Sequence, residues 1–256
     1  MSPSLLNRVA LVSGAGGGVG RGIALALAQA GARVIVAARR AATGQETIRL
    51  IREAGGQALC VETDISRRTP VEKAVAAGVA EFGRLDIVVH NAVSGLSGTP
   101  IQLENIDAAR LEEEAGIALD GAFFLARAAL PHLRDHGRGR FVVLTSVEGV
   151  HGGSVNPVYG LTKAGQRGFV KALAREWGPH RINVYGLTPA ALTDSAREHF
   201  RRFPDAEAKV TAAIPLGRMG NPQSDIGSAA VALCGDDLHF VTGQILNVNG
   251  GYYTAL

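Results

Sequence analysis

Residues 9–40 read VALVSGAGGGVGRGIALALAQAGARVIVAARR. An apolar run from Val9 to Ser13 ends in a cluster of glycines, and an Ala-rich helical pattern extends from about Gly18 to Ala30. Gly31 interrupts it, and a second apolar run occupies Arg33 to Ala38. Two short apolar runs flanking a helical pattern predict a β-α-β unit with parallel strands. A strict G-x-G-x-x-G match fails because its last position falls on Val19 or Arg21, but Gly14, Gly18 and Gly20 form G-x-x-x-G-x-G. Glycines in a strand-to-helix turn admit positive φ and let backbone N–H groups approach a diphosphate at the helix N-terminus. In this context the turn points to a dinucleotide.

Downstream, the runs QALCVET, LDIVVHN, RFVVLTS, RINVYGL and GQILNV alternate with helical patterns. Together they predict about seven strands in a parallel, doubly wound Rossmann-type sheet with helices on both faces, built as one domain over residues 1–256. Thr69-Pro70-Val71-Glu72 carries a capping-box pattern with Pro at the first helical position, and Asn221-Pro222 offers an Asn cap with a Pro start. Asp64, Asn91, Ser146 and the stretch after Leu187 all fall just beyond carboxyl ends of strands, where open α/β sheets bind ligands.

Composition narrows the function classes. The 256 residues are 46% hydrophobic and 19% charged, enough apolar surface for a large core, with a formal charge of only +3. Basic residues are scattered rather than striped with aromatics, which argues against a nucleic-acid partner. The opening MSPSLLNRVALVSG has no basic region, long apolar stretch or cleavage site, so a cytoplasmic protein without membrane association is expected. Cys60 and Cys234 form no C-x-x-C and the histidines lack H-E-x-x-H spacing, so neither a disulfide nor a metal is expected.

The chemistry is carried by Tyr159 and Lys163, four apart in VYGLTKAG, with Ser146 upstream at the end of FVVLTS. On a helix that spacing places phenol and ammonium on one face, one turn apart. A phenol titrates near ~10, and a nearby cation lowers that value, making Tyr159 usable as a general acid or base at neutral pH. The Ser146 hydroxyl would bond the oxygen whose charge changes.

Taken together, these motifs make the chain resemble the short-chain dehydrogenase/reductase family, in its Tyr-x-x-x-Lys branch, over nearly its full length. The family's T-G-x-x-x-G-hydrophobic-G motif is matched by Ser13-Gly14-Ala15-Gly16-Gly17-Gly18-Val19-Gly20, its adenine-contacting Asp by Asp64, and its N-N-A-G by His90-Asn91-Ala92-Val93. The resemblance implies cofactor contacts at Ser13, Gly14, Gly17, Gly18, Val19 and Gly20 in the turn. It implies further contacts at Asp64, Ile65, Asn91, Ala92, Lys163, Pro189 and Thr193. It assigns Tyr159 as acid or base and Ser146 to the substrate oxygen, and it has Lys163 lower the phenol pKa and bond the nicotinamide ribose. Ketone or aldehyde and alcohol would be interconverted by hydride transfer. Where an acidic residue would select NAD stands Ala38, followed by Arg39 and Arg40, whose guanidinium groups suit a 2′-phosphate. NADP(H) is therefore the expected preference, with NAD(H) also accommodated.

Three departures stand against the pattern. Ala118 replaces an Asn that in the family holds a water beside the Lys, and alanine has no side-chain hydrogen bond to offer. His90 and Val93 replace Asn and Gly, with His90 read as a packed strand-end residue ahead of any chemical role. The family's P-G after the sixth strand reads Leu187-Thr188-Pro189-Ala190, an alignment open to a one-residue shift. These losses keep in play a cofactor-binding protein that senses or regulates with little turnover. An enoyl reductase would call for a longer Tyr to Lys gap, and a nucleotide-sugar epimerase for an additional substrate domain.

A substrate lid is expected over about 190–214, where Arg197, His199, Phe200, Arg201, Arg202 and Phe203 form either a basic, aromatic wall or an amphipathic helix with a solvated basic face. Glu148, His151 and Leu192 are candidate substrate contacts. The Ala-rich helix from Phe123 to Leu133 and the C-terminal GGYYTAL suit the tetramers or dimers that the resemblance implies.

Overall fold

In the computed structural model, which describes residues 4–153 and 156–254, seven strands form one parallel sheet. They are β1 (Val9–Ser13), β2 (Arg33–Ala38), β3 (Ala58–Glu62), β4 (Ile87–His90), β5 (Arg140–Leu144), β6 (Asn183–Pro189) and β7 (Ile245–Val248). Their order across the sheet is β3-β2-β1-β4-β5-β6-β7, reversing direction between β1 and β4. The expected domain also spans residues 1–3, 154–155 and 255–256, which lie outside the described residues, as do Ala255 and Leu256 of GGYYTAL.

The strands are apolar throughout because both faces are covered. Alternation then sorts side chains by parity. Ala10 and Val12, Val34 and Val36, and Val142 and Leu144 enter one core, under α1 (Gly18–Gln29) and α2 (Ala41–Glu53). Val9 and Leu11, Ile35 and Ala37, and Phe141 and Val143 enter the other, under α3 (Arg68–Phe82) and the helices that follow. Ser13 and His90 belong by the same count to that second face, at the carboxyl ends of neighbouring strands paired through Val12 and Val89. Both are buried.

The expected cap at Thr69 is corrected. The helix begins at Arg68, with extended Arg67 before it, and no side chain caps it. Asp64 turns the chain first, accepting from the Ser66 N–H at 3.1 Å and its hydroxyl at 2.6 Å, and Glu72 pairs with Arg68 one turn away. Asn221 caps as expected, its side-chain oxygen accepting from the N–H groups of Gln223 and Ser224 at 2.9 and 3.0 Å.

Further along, α4 (Ala108–Ala115) runs through a π turn, Gly116–Asp120, into α5 (Gly121–Asp135). The one-turn α6 (Glu148–His151) precedes α7 (Pro157–Trp177). Asn156 starts α7, accepting from the Tyr159 N–H at 3.1 Å, with Pro157 at the first position. This cap fixes Tyr159 in the first turn. The segment expected as a lid carries α8 (Asp194–Arg202) and α9 (Pro204–Ala212), and α10 (Ser228–Cys234) closes the first core. Among the described residues no helix is long and apolar enough to cross a membrane.

Candidate active site

A cleft of about 1010 Å³ opens at the carboxyl ends of the strands, over the sheet's reversal point. The glycine turn forms its floor. Gly14 has φ +65°, and a Cβ there would stand 2.8 Å from the Ala92 backbone, while one on Gly20 would stand 2.4 Å from the Gly14 carbonyl oxygen and from Asn91 Nδ2. These glycines are required because the loop after β4 lies directly on the turn. Asn91 Nδ2 donates to the carbonyls of Ser13 and Gly14, both at 3.2 Å. At the start of α1 no side chain caps the helix, and Gly17, Gly18 and Val19 of that start line the cleft, which leaves backbone N–H groups there for an anion. A dinucleotide diphosphate fits this donor set.

Of the turn residues expected there, Ser13, Gly14, Gly17, Gly18 and Val19 line the cleft, and Gly20 lies buried beneath it. Arg39 and Arg40 border it after β2, and Asp64 and Ile65 after β3. Asn91 and Ala92 border it after β4, as do Pro189 and Thr193 after β6. Ser146, Glu148, His151 and Leu192 are not among its lining, although the Ser146 hydroxyl, which accepts from the Glu148 N–H at 3.2 Å, acts on the Tyr159 phenol. Glu148 stands close enough to act on Tyr159. His151 is exposed and bonded to the Gly152 carbonyl, and Leu192 borders a separate small pocket of 250 Å³ with Arg197 and Arg201. On α8, His199 and buried Phe200 face the cleft, whereas Arg201 and Arg202 are exposed and paired with Glu198. A solvated basic face describes this helix better than a basic wall.

Tyr159 and Lys163 both line the cleft, with Lys163 Nζ 5.6 Å from the centre of the phenol ring. The expected pKa relation is corrected. Burial, more than any other influence, holds the phenol above its ordinary value. The carboxylates of Glu148 and Glu114 add to the rise, and the Ser146 hydroxyl opposes it. Burial also pulls the Lys163 ammonium down to about 7. At this phenol the effect of burial prevails over that of the neighbouring cation.

Lys163 is only 2% exposed and donates to the Leu144 carbonyl at 2.7 Å and to Gln166 Oε1 at 2.9 Å. The Gln166 amide donates in turn to the Ala118 carbonyl at 2.9 Å. Ala118 sits in the π turn, a local widening common at functional positions. His90 Nε2 reaches the same carbonyl at 3.2 Å, and its Nδ1 lies 3.2 Å from Ser13 Oγ. A carbonyl only accepts, so Nε2 carries the proton and Nδ1 accepts from the serine. Ser13 Oγ accepts in turn from the N–H groups of Asn91 and Ala92 at 3.1 and 3.2 Å. Burial, with Lys163 nearby, depresses the imidazole to about 3, so His90 is neutral. His90 therefore works as a packed strand-end residue with two fixed hydrogen bonds.

A family model described as enoyl-(acyl carrier protein) reductase matches residues 14–253. The 7α-hydroxysteroid dehydrogenase of Escherichia coli K12 is 31% identical over 95% of this chain and 93% of its own length. The chain belongs to the short-chain dehydrogenase/reductase family. Within that family, the L-rhamnose 1-dehydrogenase (NAD(P)(+)) of Azotobacter vinelandii is 31% identical, covering 98% of this chain and 99% of its own. A solved 7α-hydroxysteroid dehydrogenase, complexed with NADH and 7-oxo glycochenodeoxycholic acid, superposes with a TM-score of 0.90 at 30% identity, over 98% of this chain and 96% of that one. Gln166 escaped the sequence reading of this family member. Its one available signal was a polar residue three positions after Lys163, on the same helix face.

Proposed function

We propose that the protein is a nicotinamide-dependent oxidoreductase that interconverts a ketone or aldehyde and an alcohol. One observation carries the reading: Tyr159 and Lys163 stand one helical turn apart on the wall of a cleft whose floor is an uncapped, glycine-bounded helix start. That floor would hold a nicotinamide dinucleotide, which would supply or take up the hydride. Tyr159, protonated at neutral pH because burial raises its pKa, gives its proton to the carbonyl oxygen in reduction and must first lose it for oxidation. The Ser146 hydroxyl, which influences the same phenol, steadies that oxygen. Lys163 contributes its charge from below. The reading is tested with a spectrophotometric screen of NADPH and NADH against ketones, aldehydes and secondary alcohols, using Tyr159→Phe as control. Loss of ~10²- to 10⁴-fold turnover with cofactor binding retained is expected, and near-normal turnover in the variant refutes it.

NADPH is the preferred reductant on this reading. Arg39 and Arg40 are exposed at the cleft and take part in no ion pair among the described residues, which leaves both guanidinium groups for a 2′-phosphate. Arg39→Ala should raise KM for NADPH and leave that for NADH unchanged. The helices over 190–214 would close over substrate through His199 and Phe200. The matched family description favours one competing chemistry, reduction of an enoyl thioester. Including enoyl thioesters in the screen separates the two. Association into dimers or tetramers is supported by exposed Phe123, Leu161, Leu246 and Tyr252 on α5, α7 and the C-terminal strand region, and light scattering after gel filtration measures it.

A further inference from the structure

Gln166 has no exposed surface, yet it carries one of the more strongly hydrogen-bonding side chains. Its amide orientation is fixed by chemistry: an ammonium only donates and a carbonyl only accepts, so Oε1 faces Lys163 and Nε2 faces Ala118. The Ala118 carbonyl thereby takes two donors, Gln166 Nε2 and His90 Nε2. Both of its lone pairs are engaged, so it has none to give a water beside Lys163. Two of the three ammonium protons go to Leu144 and Gln166, leaving the third for the cleft that Lys163 lines.

We propose that Gln166 is the positioning residue of this site: its amide, reaching from α7, clamps Lys163 and thereby aims the remaining ammonium proton at the Tyr159 side of the cleft. The amide that the family resemblance places at 118 is supplied instead from position 166, against the backbone of residue 118. With that carbonyl saturated, the proton lost by Tyr159 is replaced through the cleft rather than through the protein interior. The inference rests on the proposed oxidoreductase reading for its effect on rate, but its effect on Lys163 does not depend on turnover.

The groups facing this ammonium are few. Tyr159 lies on the same helix and His90 on β4, and the carboxylates of Glu114 on α4 and Glu148 on α6 act on the phenol. Asp120, on the π turn, is exposed. His90 stays neutral above about pH 3, so a titration of Lys163 near neutrality is not mixed with its own.

The test compares wild type, Gln166→Met and Gln166→Glu. Lysine labelled with ¹³C at Cε reports the Lys163 titration directly, its resonance assigned by comparison with Lys163→Arg. The Met variant removes the acceptor in a similar shape, so the Lys163 midpoint should fall by about one pH unit, and the Glu variant adds an anion, so it should rise by about one or more. Turnover in the Met variant should drop at least about tenfold, with the Glu variant recovering part of it. Midpoints agreeing within about 0.3 across the three proteins overturn the proposal, as does unchanged turnover in Gln166→Met. If the Met variant does not fold, the direction of the Glu shift decides alone. Absence of wild-type turnover on every carbonyl tested counts against the proposed function and leaves the midpoint comparison standing.

Discussion

Acid should destabilise this protein through His90 in a way that a single substitution removes. The imidazole is fully buried, donates from Nε2 to the Ala118 carbonyl and accepts at Nδ1 from Ser13 Oγ, whose own lone pairs hold the N–H groups of Asn91 and Ala92. A second proton on Nδ1 would face an oxygen with nothing left to accept it. Burial, with the Lys163 ammonium nearby, holds the folded imidazole at about 3, against an ordinary value of 6.5. Between these limits the unfolded chain binds the proton and the folded chain does not, so this contribution is complete above about pH 6.5 and is lost as pH falls towards 3. At about 1.4 kcal/mol per pH unit, the full gap amounts to about 5 kcal/mol, of which about 2.5 kcal/mol has gone by about pH 4.5. Urea unfolding at about pH 7 and about pH 4.5, on wild type and His90→Asn, measures it. The Asn keeps an acceptor for Ser13 and does not titrate, and the other groups cancel in the comparison. The drop in stability on acidification should be smaller in the variant by about 2.5 kcal/mol. Equal drops in the two proteins would refute the buried, neutral imidazole.

Other consequences are as direct. Because burial raises the Tyr159 phenol and holds the Lys163 ammonium at about 7, log kcat/KM for alcohol oxidation should climb with a slope near +1 up to about pH 7 and flatten above it as Lys163 loses its charge, and a climb of unchanged slope to about pH 9 would contradict the role given to that charge. Gly20→Ala places a Cβ 2.4 Å from the Gly14 carbonyl oxygen, so cofactor affinity measured by fluorescence should fall well before the fold is lost. Phe141, fully buried and edge-on to Trp177 with ring centres 5.5 Å apart, should cost about 3–5 kcal/mol of unfolding free energy when replaced by alanine. A loss below about 1 kcal/mol would place the core elsewhere.

Much of the scaffold could be read along the chain because its determinants are local. Val9–Ser13 and Arg33–Ala38 were legible to the residue, since an apolar run bounded by glycine has few other ways to fold. Asn221 capped as its neighbours suggested. Thr69 did not, because the helix begins one residue earlier, at Arg68, behind extended Arg67, and a capping pattern says nothing about which of two adjacent starts prevails. Asn156-Pro157, an equally plain signal, passed unread, although it is what sets Tyr159 in the first turn of α7.

By itself, the sequence determined the strand-turn-helix unit and the one-turn spacing of Tyr159 and Lys163, because backbone periodicity and glycine conformations act over a few residues. The tertiary structure decided what those groups are chemically. Burial, which raises the phenol and lowers the ammonium, is imposed by elements far apart in the chain. The path from Ser13 through His90, Ala118 and Gln166 to Lys163 joins residues 77, 28 and 48 positions apart before closing locally. No periodicity encodes such distances. Only the folding of β1, β4, the π turn and α7 onto one another brings the donors and acceptors within reach.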